Sequence, residues 1–159
     1  MLYEGICKEL IHQFKYTGKT HLRRPLGQIM ADHLHDFAVS RQADLLVPVP
    51  LHRAKLRNRG FNQSVLLAEL LAESWQIPLL RDGLIKTHPT TPQIQLTKEQ
   101  RQKNQQHAFA VRTAPAVAGS RVILVDDVFT TGSTLSACAD ALLHAGCLSV
   151  SAVTAAHAP

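Results

Sequence analysis

The chain has 159 residues, 45% of them apolar, a formal net charge of +5 and a sequence pI near 9.4. That length sustains a hydrophobic core without metals or disulfides, and a composition in the ordinary globular range excludes long disorder. Three cysteines, Cys7, Cys138 and Cys147, include no C-x-x-C pair, which excludes a disulfide framework or a cysteine-based zinc site and favours a reducing compartment.

Residues 1–5 lack a basic start followed by an apolar run, so no signal peptide is expected. No stretch approaches the roughly 20 apolar residues of a membrane span. A soluble, cytoplasmic protein is the expectation. The positive charge attracts anions without naming them; nucleic acid, a polyphosphate metabolite and an acidic protein stay open.

In chain order, Ile6, Leu10, Ile11 and Phe14 are spaced for one helix face over residues 4–15, and Gly18 breaks it. Leu22, Leu26, Ile29, Met30, Leu34 and Phe37 give a second helix, with Pro25 in its first turn. Asp44 to Pro50 reads as a buried strand running into a loop, and residues 51–61 as a basic loop. Asn62 caps a helix carrying Val65, Leu66, Leu67, Leu70 and Leu71. Residues 77–80 and 84–87 read as short strands. Within the polar stretch 88–106, Thr97 and Gln100 have capping-box spacing for a helix over 97–104. Strands follow at 108–111, 121–125 and 148–155, with a helix over 133–145 ended by Gly146.

Strands alternating with helices predict an α/β fold: a parallel sheet covered on both faces, in a single domain over 1–159. Ligands of such sheets bind beyond the carboxyl ends of the strands. The loops after Val47, Thr87 and Val125 are therefore candidate site walls.

The third of these carries the strongest chemistry. Val122-Ile123-Leu124-Val125 leads into two carboxylates, Asp126 and Asp127, then into Thr130-Thr131-Gly132-Ser133-Thr134 at a helix start. Gly132 permits a turn that a side chain would block. The unpaired amides of the helix start, its dipole and the hydroxyls make a phosphate cradle. No Gly-Lys-Ser/Thr follows and no G-x-G-x-x-G is present, so neither a P-loop nor a dinucleotide fingerprint fits. The two acids fit either a divalent cation or ribose hydroxyls.

This run resembles the signature of type I phosphoribosyltransferases that binds phosphoribosyl pyrophosphate (PRPP). The resemblance implies that Asp126 and Asp127 are the catalytic pair, touching the ribose 2′- and 3′-hydroxyls. It implies that Val128, Thr130, Thr131, Gly132, Ser133 and Thr134 hold the 5′-phosphate. Val47 to His52 and Arg57 to Gln63 resemble the ComF/GntX-like, competence-related members of that fold. So do Tyr3 to Gly5, Leu10 to His12, Phe14 to Lys19, and Gln93 to Phe109. Nearly the whole chain is covered. The Cys-rich zinc ribbon usual at the N-terminus of that family has no counterpart in these residues.

The resemblance makes Val49, Pro50, Leu51, His52, Arg53, Arg57 and Arg59 a pyrophosphate loop. Guanidinium forks suit phosphate oxygens, and Lys55 adds to the same cluster. Lys15 and Lys19 bring further charge. Arg101 falls in what the fold would use as a lid. Mg²⁺ would bridge pyrophosphate and ribose hydroxyls, held mainly by the ligand. The nine histidines show no metal-ligand spacing, and His52 stands apart only by its place in the loop.

The expected reaction is phosphoribosyl transfer with release of pyrophosphate. The alternatives are a non-catalytic PRPP or nucleotide sensor, a single-stranded-DNA-binding protein of DNA uptake, and a purine or pyrimidine salvage enzyme. Arg57 and Arg59 suit DNA phosphates, whereas 5% aromatics leave few stacking platforms. Residues 1–40 and 154–159 show no aromatic sandwich for a base. Expected partners are PRPP or another phosphoribosyl small molecule. Single-stranded DNA, a competence-machinery protein and a second copy of the chain are further candidates.

Overall fold

The computed structural model describes residues 1–16, 18–87 and 108–158. The expected helix over 97–104 and the lid residue Arg101 lie outside the described residues. Helix α1 (Gly5–Tyr16) and a single 3₁₀ turn lead into α2 (Arg23–Ser40). Strand β1 (Leu45–Pro48), α3 (Arg53–Arg59) and α4 (Gln63–Trp75) follow. Then come β2 (Leu84–Lys86), β3 (Phe109–Val111) and the short α5 (Ala114–Val117). Strand β4 (Arg121–Phe129), α6 (Ser133–His144) and β5 (Ser149–His157) complete the order.

The main sheet is parallel, in the order β1-β4-β5. Residues 78–80 touch the free edge of β1 by one bridge, Leu46 to Leu79, rather than as the full strand expected over 77–80. Leu2 bridges His157 at the other edge, and Tyr3 N–H donates to the His157 carbonyl at 2.7 Å. Strands β2 and β3 form a separate antiparallel pair, which the all-parallel expectation did not contain.

Strand β4 divides the core. Ile123 and Val125 pack with Ile11, Phe14, Met30, Leu67 and Leu71 from α1, α2 and α4. Val122 and Leu124 pack with Leu135, Cys138 and Leu142 of α6 and with Phe109 of β3. A strand buried on both faces needs this unbroken apolar run, because successive side chains alternate faces. The indole N–H of Trp75 donates to the Ala31 carbonyl at 3.1 Å, tying α4 to α2. Two residues of the expected faces lie outside: Ile6 is 78% and Ile29 39% exposed. Each sits at the margin of its helix stripe.

The segment 53–59 is a helix and not the expected loop. His52 Nδ1 accepts from the Ala54 N–H at 3.3 Å, capping its start. Gly60, at φ 82°, ends it in the left-handed region, donating to the Leu56 carbonyl at 2.8 Å. Arg, Ala, Lys and Leu are all good helix formers, and their charge carries no objection to a helix.

Asn62 caps α4 as expected. Its Oδ1 accepts from the Ser64 N–H and its Nδ2 donates to the Val49 carbonyl, both at 3.0 Å. It therefore fixes the loop after β1 to the start of α4. Asn62→Ala is expected to cost about 1–2 kcal/mol, and Asn62→Asp to recover the cap share alone, as read by urea unfolding.

Candidate functional site

The carboxyl ends of β1 and β4 and the starts of α4 and α6 meet at one edge of the sheet. Strand β4 runs on through the acids to Phe129, beyond the expected end at Val125, because β5 pairs with it up to His157. Asp126 and Asp127 are thus strand residues, and their partners lie on different elements.

Asp126 Oδ1 accepts from the Ser64 hydroxyl at 2.8 Å and from the Asp127 N–H at 2.9 Å. Burial first, and the neighbouring Asp127 second, push its carboxyl up to about 6; the Ser64 hydrogen bond opposes this. Asp127 is 4% exposed, and Lys15 Nζ stands 2.9 Å from its Oδ2. The contact is an ion pair rather than an aligned hydrogen bond, so Asp127 Oδ2 has no hydrogen-bond donor among the described residues.

The next turn is built as the cradle requires. Gly132, at φ 74°, is the N-cap of α6 and carries no capping side chain, and the Ser133 N–H reaches only the Thr131 hydroxyl, at a long 3.5 Å. The Ser136 N–H returns to the Gly132 carbonyl at 2.8 Å. The amides of Thr134 and Leu135 precede it, in the first turn, where no intrahelical carbonyl is in place to receive them. Thr131 and Ser133 hydroxyls lie 3.0 Å apart at the mouth. Thr130 and Thr131 are exposed, while Val128, Gly132, Ser133 and Thr134 are partly buried. Phe129 stacks on His157, centroids 5.3 Å apart, and both line a recess of about 580 Å³ beside this turn.

The basic residues do not converge on one point, because α3 sorts them by its 3.6-residue turn. Pro50, Leu51, His52 and Arg53 line a groove of about 750 Å³ that also takes in Phe61, Arg81, Lys86 and Arg112. Arg59 lies in a different recess, of about 280 Å³, with Lys15, Tyr16, Gly18, Lys55 and Asn58. Val49 is buried, its N–H on the Val125 carbonyl at 3.0 Å, and Arg57 is exposed and lines neither cavity. Lys19 donates to Gln13 Oε1 at 2.9 Å, away from the acids.

Sequence reasoning missed two residues. Ser64 meets Asp126 across 62 positions of chain, with no local signal. Lys86 ends β2 with its ammonium 5.2 Å from the centre of the Phe109 ring. Burial, then the charge of Lys55, draws its pKa down, while the charge of Asp126 opposes that. Burial drives the Cys138 thiol far up, so it stays protonated and acts as core.

Known proteins share this layout. Residues 62–159 match the model of the phosphoribosyl transferase domain. DNA utilization protein YhgH of Escherichia coli K12 is 33% identical over 93% of this chain, and the chain spans 66% of that relative. Competence protein F of Haemophilus influenzae is 33% identical over 80% of this chain and 57% of its own length. Among solved structures, the glutamine PRPP amidotransferase of B. subtilis, complexed with ADP and GMP, superposes with a TM-score of 0.57 at 25% identity. It covers 84% of this chain and 26% of its own. Fold, matched residues and relatives agree that this chain, which spans only part of the length of the relatives named for DNA utilization and competence that it resembles, belongs to the phosphoribosyl transferase domain family.

Proposed function

We propose that this chain binds PRPP at the edge formed by β4 and α6 and transfers its phosphoribosyl group with release of pyrophosphate. One observation carries the reading. Two adjacent carboxylates lie in the last turn-ward residues of a central parallel strand, and a helix start opened by Gly132 follows that strand directly.

The 5′-phosphate lies on the amides of Ser133 to Leu135 and the hydroxyls of Thr130 to Thr134. Asp126 and Asp127 accept from the ribose hydroxyls. Pyrophosphate takes the groove side of α3, near Pro50 to Arg53 and Lys86. The bond from ribose C1 to the pyrophosphate oxygen breaks, its electron pair leaving with pyrophosphate. The acceptor's lone pair makes the new bond to C1, and an acceptor N–H proton goes to solvent. Positive charge grows on the ribose in between, and two carboxylates at that place offset it.

Mg²⁺ fits this site. Asp127 Oδ2, a buried hard oxygen without a hydrogen-bond donor among the described residues, is paired with the Lys15 ammonium at 2.9 Å, so Lys15 would have to yield for it to hold the ion directly. Among the described residues no cluster of three metal-ligating side chains exists, so phosphate and hydroxyl oxygens of PRPP would complete the set. The ion supplies charge neutralisation on the leaving pyrophosphate when bound.

The test is thermal unfolding with PRPP and Mg²⁺, followed by an assay for released pyrophosphate. At about 100 times its dissociation constant PRPP adds roughly 2.7 kcal/mol, which raises Tm by about 8 °C. Asp126→Asn/Asp127→Asn abolishes the shift. An unchanged Tm in the parent chain overturns the proposal. A shift without pyrophosphate release with any acceptor selects a second reading, a PRPP sensor, which suits relatives named for DNA utilization and competence.

A further inference from the structure

The recess between the end of α1 and α3 is lined by Lys15, Tyr16, Gly18, Lys55, Asn58 and Arg59. It contains three cations and no carboxylate. Among the described residues no ion-pair partner exists for Lys55 or Arg59. Arg59 is nonetheless held in place. One guanidinium nitrogen donates to Gln63 Oε1, and the group lies 5.1 Å from the centre of the Tyr16 ring. Gln63 itself is 5% exposed, so the anchor is part of the core. A guanidinium has five N–H donors, and one bond to Gln63 leaves others for a ligand. Fixing it beforehand lowers the ordering cost of binding.

The recess is joined to the acids through Lys15, which lines it and reaches Asp127. It is separated from the groove of Pro50 to Arg53 by α3 itself. Displacement at a ribose carbon needs two berths, one for the leaving group and one for the acceptor. If the groove takes pyrophosphate, the recess is the second berth. A volume of about 280 Å³ suits a single ring rather than a drug-sized molecule.

We propose that this recess binds a carboxylate group of the acceptor, so that the acceptor is a small anionic ring compound and not a neutral base. The inference rests on the phosphoribosyl-transfer reading and names the substrate class for it. Lys55 and Arg59 take the carboxylate, and Tyr16 gives a ring edge beside it. Lys15 shares its charge between the carboxylate and Asp127.

The experiment is calorimetric titration with isophthalate, its neutral analogue isophthalamide, ribose 5-phosphate and inorganic pyrophosphate. Isophthalate is expected to bind and isophthalamide is not. Lys55→Gln, at an exposed position, is expected to weaken isophthalate about tenfold, the loss of one charged hydrogen bond. The same variant keeps the affinity of ribose 5-phosphate, which reads the Thr130 to Thr134 cradle alone. Equal binding of acid and amide overturns the inference, as does an unchanged affinity in Lys55→Gln. One-for-one displacement of isophthalate by pyrophosphate also overturns it, since the recess is then the leaving-group site. Failure of ribose 5-phosphate to bind sinks the proposed function instead. The isophthalate arm is read with and without it, so the two failures are told apart.

Discussion

Replacing Asp126 by Asn is expected to stabilise the protein by about 1–3 kcal/mol at pH 8 and by only about 0.5 kcal/mol at pH 4. The folded carboxyl sits at about 6, above its ordinary 3.8, chiefly because it is buried and secondly because Asp127 stands beside it. A raised acid holds its proton more tightly in the folded state than in the unfolded one. The folded state therefore binds more protons between about pH 4 and 6, and stability falls as pH rises through that window. Above it the ionised carboxylate is a standing cost. Asn resembles the protonated acid, and its Oδ1 still accepts from Ser64 and from the Asp127 N–H. Urea unfolding at pH 4, 6 and 8 measures the difference. An Asn advantage that stays the same at all three values refutes the assignment of the raised carboxyl to Asp126. Under the proposed function the same variant is expected to lose PRPP binding, the pattern of a residue that trades stability for a site.

The second large effect concerns Gly132. Gly132→Ala is expected to cost about 2–3 kcal/mol and to remove measurable binding of ribose 5-phosphate. The backbone there has φ 74°, which any side chain resists. A Cβ would also meet two ring carbons of Phe129 at 3.0 Å. That ring has little room to retreat, since it stacks on His157. The double variant Gly132→Ala/Phe129→Leu separates the causes. It recovers the steric part of the stability and leaves the backbone part lost. Full recovery in the double variant shows that φ contributes nothing.

Much of this was legible from local pattern. The apolar run Val122 to Val125, the acids and the Gly132 turn announced both a buried strand and the glycine turn that opens α6. Asn62 announced a helix start. What was misread follows from weighting. Charge made 53–59 look like a loop, although His52, Gly60 and four good helix formers stood in the sequence. The length of β4 was hidden because its last residues are held by β5, a partner some 28 positions on, Asp126 pairing with Thr154. Ser64 beneath Asp126 and Lys86 near it are products of chain return, and no spacing rule reaches that far. The antiparallel pair β2–β3 joins segments separated by the undescribed residues 88–107, beyond the reach of any hairpin signal.

The helical state of 53–59 has a consequence for how this segment tolerates change. Each residue in a helix turns the next by about 100°, so position alone decides which cavity a side chain serves. A one-residue insertion before Lys55 would leave the number of arginines and lysines unchanged, yet swing Lys55 and Arg59 away from the recess they line. Substitution of Lys by Arg at a fixed position would disturb far less. Lineages descending from one such ancestor should therefore preserve the spacing between His52 and Gly60 more strictly than the number of positive charges inside it.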